Sequence, residues 1–369
     1  MKQSWMLVNL DRNEMENISS LGRRMLNGSW DNLIGMLAQP TGIKSVPDLL
    51  SKIEQDTTAD FKSDKERKSN PPPQRNTLGR LELFPDEVLL CIFDHIHKQE
   101  DVASLSLTSR YVYNIGYEVL QRRYMTDTAS WAGCRLVCIG YYAEFNDLPP
   151  GVFTSQELDE MKDRRRETWN PKSRKVFTLQ DSLLNRPKRP MTTRMGPGIS
   201  LDAYDHLSMT FCGAQTDLEY QKELKLARTG LPYLGRPQPT YASDYPWLLC
   251  NLSKLQFIRL DAITRLHGRK LDPDKGPFQP GRCSFGRGFS IGMLLVSRIC
   301  WSTDSTASLA YKGNIHRGVW VGDRFEITTT DRMQTARSGQ EWRDVTDEVL
   351  NEGIEIWKAE YGKNWREKL

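Results

Sequence analysis

The chain has 369 residues, of which 38% are hydrophobic, and a formal net charge of +4, so bulk electrostatics gives no basis for nucleic-acid binding. No apolar run reaches the roughly 18 residues of a membrane helix, and the one near the N-terminus is too short for a signal peptide. Seven cysteines without a Cys-x-x-Cys pair argue against a disulfide framework or a zinc site, so we expect an intracellular protein of the cytoplasm or nucleus.

Residues 1–50 are expected to form the first part of a β-rich unit. The aromatic and apolar segment 5–10 predicts a strand, and residues 30–38 predict a helix or buried segment that stops before Pro40. Residues 51–77 are charged and polar and include Asn-Pro-Pro-Pro-Gln, a composition that predicts a flexible linker.

Residues 78–127 predict a module of three short helices. Pro85 fits the first helical position, and the acidic residues that follow it favour the helix N-terminus. Apolar residues at helical spacing then form one wide stripe, made of Val88, Leu89, Ile92, Phe93 and Ile96. The module carries more apolar surface than it can bury alone. It is therefore either a docking module or an ordinary helical hairpin packed on the protein's own core.

The pattern Leu83-x-Pro85-x-Glu-Val-Leu-x-x-Ile-Phe93, followed by Leu105-x-Leu107 and Ser-Arg110, resembles an F-box. The F-box is a three-helix module that binds the Skp adaptor of SCF ubiquitin ligases, and Phe84 here interrupts the Leu-Pro pair usual at its opening. The resemblance implies that the adaptor is bound by Leu83, Pro85, Val88, Leu89, Ile92, Phe93, Ile96, Leu105 and Leu107.

Residues 128–160 are expected to return to the first β-rich unit, with a strand within 131–140 and a capping box formed by Thr154 and Glu157. Residues 161–240 predict a basic, loop-rich connector. Its segment 162–194 is either a nuclear or phosphate-binding signal or, in the reading we favour, a solvated helix face and a mobile basic loop.

Residues 241–369 predict a second β-rich unit with a C-terminal helix. A strand, turn and strand are expected over 245–260, a buried strand over 293–301, another strand from Val319, and a helix from about Thr346. The predicted fold class is α+β, a small three-helix F-box plus β-rich domains with a C-terminal helix.

Three short motifs occur twice along the chain. The segment from Trp5 matches that from Trp247, Ile34-Gly-Met-Leu matches Ile291-Gly-Met-Leu, and the segment from Trp131 matches that from Trp320. We interpret them as two related β-rich units, with the F-box inserted in a loop of the first, although chance matching is the alternative. Cys134 stands where Asp323 stands in the second copy, so any structural contact of that aspartate is lost from the first.

The wider layout resembles a group of fungal F-box proteins. The shared motifs are Trp131-Ala-Gly-x-Arg-Leu, Leu148-Pro-x-Gly, Ser297-Arg-Ile-Cys-Trp301 and Ile315-His-Arg-Gly-Val-Trp-x-Gly-Asp-Arg324. This resemblance supports the F-box architecture and does not identify a ligand.

One further cluster could hold a target or ligand, namely His316, Arg317, Trp320, Asp323 and Arg324. Acid–base chemistry would require these side chains to converge in a cleft, and the reading we favour is a turn with Asp–Arg pairs. The glycines near 281–292 form no phosphate loop, and we expect no cofactor, metal or catalytic residue.

The sequence thus predicts a non-catalytic substrate receptor that binds the Skp adaptor and presents an unidentified protein target to a cullin-based SCF ligase. Nucleic acid and membrane are not expected partners. One alternative is a small-molecule-binding or enzymatic β domain tethered by a non-ligase F-box. Another is an adaptor-bound protein that never joins a ligase.

Overall fold

The computed structural model describes residues 3–43, 84–106, 110–168, 178–184, 192–193, 239–242, 246–268, 276–278, 288–337 and 339–369. The chain divides into two compact units. The sheet unit comprises residues 1–39, 129–197 and 241–369, and the helical unit comprises residues 40–128 and 198–240. The chain therefore leaves the sheet unit after residue 39 and re-enters it at residue 129. The predicted linker, residues 51–77, lies outside the described residues.

In chain order, the strands are β1 (Trp5–Asn9), β2 (Glu14–Ile18), β3 (Gly42–Ile43), β4 (Cys134–Gly140), β5 (Thr192–Thr193), β6 (Pro239–Thr240), β7 (Trp247–Asn251), β8 (Gln256–Arg259), β9 (Cys300–Trp301), β10 (Arg324–Thr329) and β11 (Arg343–Asp344). The helices are α1 (Leu21–Asn27), α2 (Asp31–Leu37), α3 (Asp86–His95), α4 (Gln99–Ser106), α5 (Arg110–Thr128), α6 (Ser155–Thr168), α7 (Leu179–Leu184), α8 (Leu260–Leu266), α9 (Ile291–Arg298), α10 (Thr330–Ala336) and α11 (Thr346–Tyr361), followed by a 3-10 helix (Gly362–Lys368). The fold is α+β with a C-terminal helix, which confirms the predicted class.

Nine strands of the described residues form one mixed sheet in the sheet unit. Their order is β11-β8-β7-β10-β4-β1-β2-β5, and β9 pairs with β4 beside this path. The sequence predicted two separate β-rich units, but β10 of the second and β4 of the first pair antiparallel at the centre. The two halves therefore share one sheet, because each offers an open strand edge that the other covers.

The halves of the sheet repeat one another in register. Asn9 lies opposite Glu14 in the first half, and Asn251 lies opposite Gln256 in the second. Trp5 pairs with Gly140 as Trp247 pairs with Thr329. The repeated motifs at these strands therefore occupy equivalent positions related by an approximate two-fold axis.

Successive side chains along each strand point to opposite faces of the sheet, and a hydrophobic layer packs on each face. Trp5 and Leu7 of β1 enter the main core, whereas Met6 and Val8 pack on the opposite face with residues of α6 and α7. The main core is dominated by buried tryptophans, which are Trp5, Trp30, Trp131, Trp247, Trp320 and Trp357.

The segment 293–301 corrects a prediction. Its apolar run predicts a buried strand, but α9 occupies most of it, and only Cys300 and Trp301 are extended. Ser290 caps this helix by accepting a hydrogen bond at Oγ from the Met293 amide, and every residue of the helix is buried. A helix buried on all sides shows no polar face, so periodicity does not separate it from a buried strand.

Helix α9 also shows that one of the three repeated motifs, Ile-Gly-Met-Leu, is out of register between the two halves. Ile34 is the fourth residue of α2, whereas Ile291 is the first of α9. The ends of the two helices are nevertheless related, because Ala38 bridges to Ile327 of β10 and Cys300 pairs with Cys138 of β4. Each half therefore contributes a helix whose end is attached to the central strand of the other half.

Within the described part of the chain, no helix combines the length and the apolar character needed to cross a bilayer.

Candidate functional site

Helix α3 of the helical unit begins one residue later than the sequence predicted. Pro85 immediately precedes it rather than opening it, and its carbonyl accepts hydrogen bonds from the Val88 and Leu89 amides at 3.0 and 3.2 Å. Asp86 and Glu87 occupy the first turn, where carboxylates favour the helix dipole.

The inner face of α3 builds the core of the helical unit. Leu89 and Phe93 are 1% and 0% exposed. They pack with Val102, Val112, Ile115, Val119 and Leu120, and Leu90, Ile92, Ile96 and Leu105 lie at the margin of this core. Phe93 also requires a small neighbour, because a Cβ on Gly116 would lie 2.9 Å from its ring. These contacts make the three helices one packed body.

The far end of α3 is held by an arginine from α5. Arg123 donates hydrogen bonds of 2.7 Å to the carbonyls of Phe93 and Ile96 at the end of the helix, where the Phe93 carbonyl also accepts from the Ile96 amide at 3.1 Å. The Arg122–Asp94 ion pair measures 2.7 Å, but both side chains are more than half exposed, so it adds little stability. The orientation of α3 is therefore fixed by burial and by Arg123.

The outer face of α3 is exposed and partly apolar. Phe84 and Val88 are 42% and 39% exposed, and they are two of the three exposed large hydrophobic residues in the described part of the chain. Cys91 and His95 are also exposed and continue the line at helical spacing. We call Phe84, Val88, Cys91 and His95 the outer stripe of α3.

The outer stripe changes the assignment made from sequence. Leu89 and Phe93 were predicted to contact a partner, but they are sealed inside the helical unit and support the surface from beneath. Pro85 and Val88 are exposed, and Ile92, Ile96 and Leu105 are half-buried. Leu83 and Leu107 lie outside the described residues. Phe84, Cys91 and His95 were not among the predicted contacts, although the spacing of Cys91 and His95 from Val88 places these two on the same helix face.

The second predicted cluster divides into separate sites. Arg317 forms a two-pronged ion pair with Asp147, at 2.7 and 2.5 Å, and stacks over Trp301 at 4.4 Å. The hydrogen bonds from Arg317 lower the pKa of Asp147. His316 is next to this pair, and burial, together with the charge of Arg317, lowers its pKa.

The other three residues of that cluster have different partners. Trp320 is buried in the main core and donates from Nε1 to Gln256 at 2.9 Å. Asp323 accepts a hydrogen bond from Asn251 at 2.8 Å, and Arg324 binds Asp11 at 2.7 Å. The five residues therefore do not converge on one site, and each of these interactions is of the kind that fixes loops between strands. Sequence reasoning missed Asp11 and Asp147, because both are remote in the chain from the arginines they bind.

Only part of the basic segment 162–194 can be placed. Helix α6 carries its first residues, where Lys162 pairs with Asp159 at 2.9 Å and Arg165 lies over the ring of Phe145. Residues 169–177, 185–191 and 194 are outside the described residues. Lys162 and Arg165 are therefore engaged with neighbours in the sheet unit. In the same described part, no group of three or more His, Cys, Asp or Glu side chains is arranged to hold a metal ion.

Comparison with known proteins adds no further constraint: no family model, no curated protein and no solved structure matches the chain.

Proposed function

We propose that the helical unit is an F-box-type docking module for the Skp adaptor, and that the protein is the substrate receptor of an SCF-type ubiquitin ligase. The observation that carries the proposal is the exposed Phe84 and Val88 at the start of α3, above a core that is already complete. Apolar side chains left at one helix face of a packed unit are the kind of anchor that protein interfaces bury.

The division of α3 into two faces supports this reading. The inner face is used by the protein's own helices, so the module does not need the sheet unit to bury Leu89 and Phe93. The acidic Asp86 and Glu87 lie beside the outer stripe and would form the polar rim of an interface. Insertion between residues 39 and 129 of the sheet unit would let one part bind the ligase and the other bind a target.

The sheet unit is proposed as the target-binding part, with transfer of ubiquitin done by other subunits. An enzymatic role for His316 to Arg324 has less support, because the charged side chains Arg317, Asp323 and Arg324 are engaged in structural hydrogen bonds. Ligase function implies an intracellular location, in the cytoplasm or nucleus, which is part of the same proposal.

The test is affinity purification of the tagged full-length chain from cells. Phe84→Asp/Val88→Asp should lose the Skp adaptor and cullin together while keeping other partners. The matched control is Val319→Asp, which makes the same chemical change at an exposed residue of the sheet unit, 56% exposed. Equal recovery of the adaptor with both variants rejects the proposal. Recovery of the adaptor without cullin from wild type rejects the ligase role and favours an adaptor-bound protein outside the ligase.

A further inference from the structure

The approximate two-fold axis of the sheet unit pairs two turns that are alike in backbone but differ in one side chain. Gly133 and Gly322 both have φ of 75°, a conformation that favours glycine. The Cys134 amide donates to the Trp131 carbonyl at 3.1 Å, and the Asp323 amide donates to the Trp320 carbonyl at the same distance. Cys134 and Asp323 therefore occupy equivalent positions.

Each of these positions faces an asparagine at the end of a strand. In the first half, Oδ1 of Asn9 accepts hydrogen bonds from the amides of Asp11 and Arg12, at 3.1 and 3.0 Å. In the second half, Oδ1 of Asn251 accepts the equivalent pair of backbone hydrogen bonds, both at 3.1 Å. The orientation of both amide groups is thereby fixed, and each Nδ2 is directed to the neighbouring turn.

The two Nδ2 groups differ in what they meet. Asn251 donates to the carboxylate of Asp323 at 2.8 Å. Asn9 is 0% exposed, and its Nδ2 has no nitrogen or oxygen partner within the described part of the chain. It faces the Sγ of Cys134, and a thiol is a weak acceptor. A buried donor without a good acceptor destabilises the folded chain.

We propose that Cys134 is an oxidation site, at which a peroxide converts the thiol to a sulfinate whose oxygens accept the hydrogen bond of Asn9. In the first step, sulfur attacks the O–O bond of hydrogen peroxide, an S–O bond forms, and the thiol becomes a sulfenic acid with release of water. A second peroxide adds the second oxygen in the same way, and the sulfinic acid loses its proton. Each step is a two-electron oxidation of sulfur, with reduction of the two peroxide oxygens. The product matches the Asp323 carboxylate in charge and in its two acceptor oxygens.

Access to Cys134 and the cations near it favour this reaction. The side chain is half-buried, whereas Cys138, Cys250 and Cys300 are buried, so peroxide can reach Cys134 more readily than these three. Arg324, 46% exposed, and Arg12, 37% exposed, are the nearby cations that would compensate the product's charge.

The reaction should be pH-dependent. Burial raises the pKa of the Cys134 thiol, Asp11 raises it further, and Asn9, Arg12 and Arg324 lower it. Because the thiolate is the nucleophile, oxidation should accelerate as the pH rises.

The experiment uses the full-length chain carrying Cys91→Ser, which removes the one exposed thiol among the described residues. After treatment with hydrogen peroxide, peptide mass mapping should find two added oxygen atoms on Cys134, and the thermal unfolding midpoint should rise by roughly 2–4 °C. Cys134→Ser in the same background is the matched control, since it carries the same methionines, and peroxide should not raise its midpoint. Cys134→Asp should raise the midpoint without peroxide.

A second variant reports on the specific contact. Asn9→Asp keeps the acceptor for the two backbone amides but replaces the Nδ2 donor by an oxygen, so oxidation of Cys134 should now lower the midpoint. The proposal is overturned if Cys134 does not gain two oxygens, or if its oxidation leaves the midpoint of the Cys91→Ser chain unchanged or lower. It is also overturned if Asn9→Asp in this background responds to peroxide as the Cys91→Ser chain does.

Discussion

Arg135 and Arg324 lie directly opposite one another in the two central strands of the sheet, and each occupies the same position in its half. Both bind one carboxylate, because Asp11 accepts from Nε of Arg135 and from Nη1 of Arg324, each at 2.7 Å. The equivalent of Asp11 in the other half is Ser253, whose Oγ accepts from the Arg324 amide at 2.9 Å. One acid therefore serves two arginines that the approximate symmetry brings together.

Replacing this acid should destabilise the sheet unit. Asp11→Ser introduces the residue type that the equivalent position, Ser253, has in the other half of the sheet. The neighbouring guanidinium groups of Arg135 and Arg324 then have one carboxylate, that of Glu157, instead of two. Loss of hydrogen bonds to charged groups predicts a cost of about 2 kcal/mol in the free energy of unfolding. Urea denaturation measures this cost. The control is Ser253→Ala, which removes one hydrogen bond, to the Arg324 amide, from the equivalent loop of the other half. An unchanged midpoint for Asp11→Ser would show that Asp11 does not stabilise the centre of the sheet.

Glu157 should make stability depend on acid pH. Burial alone would raise its pKa, but hydrogen bonds from Arg135 and Thr154 lower it to about 2. Its pKa is thus lower in the folded than in the unfolded chain, so its contribution is fully present above about pH 4.5 and is lost as the pH falls towards 2. Glu157→Gln should flatten the fall in stability over this window, measured as unfolding midpoints against pH. The same slope in both proteins would contradict this assignment.

The two phenylalanines of the α3 region should respond differently to truncation. Phe93→Ala removes a fully buried ring from the helical unit and should cost about 3–5 kcal/mol. Phe84→Ala removes an exposed ring and should change stability by about 0.5 kcal/mol or less. Chemical denaturation followed by circular dichroism distinguishes them. Similar losses for the two variants would mean that Phe84 is part of the core and that the outer stripe is not free for a partner.

Much of the fold could be predicted from the sequence. The strand at Trp5, the strand pair at Trp247 and the C-terminal helix all follow from clear local patterns, and the segment of α2 was predicted as a helix or a buried segment. The merger of two predicted units into one sheet could not be predicted, because it depends on the pairing of strand edges remote in sequence. Local patterns failed at α9, where a helix buried on all sides has no polar face to mark its period.

The helix that carries the candidate site was predicted, but the division of its residues between a buried and an exposed face was not. The apolar stripe of α3 was correctly placed on one helix, yet its inner and outer faces were merged, and Leu89 and Phe93 were assigned to a partner. Which residues remain exposed depends on where α4 and α5 pack, and this is a tertiary property. For the same reason, closeness in sequence does not bring the side chains of residues 316–324 to one site, because they contact different neighbours.

Alkylation of Cys91 probes the outer stripe without the need for a mutation. It is exposed, whereas Cys134 is half-buried and Cys138, Cys250 and Cys300 are buried. Saturating Skp adaptor should slow alkylation of Cys91 by about tenfold or more, because the core of an interface excludes solvent. Mass spectrometry of the modified peptides gives the rate, and Cys134 serves as the internal control whose rate should not change. Alkylation of Cys91 at the same rate with and without adaptor would place the contact elsewhere.

The most direct test of the central claim is calorimetric titration of the purified full-length chain with purified Skp adaptor. The account predicts saturable binding by wild type and by Val319→Asp. It predicts that Phe84→Asp/Val88→Asp binds at least about tenfold more weakly, while its unfolding midpoint stays unchanged. Absence of binding by the folded wild-type chain, or equal affinity of the double variant, would contradict the claim that α3 presents an adaptor-binding face.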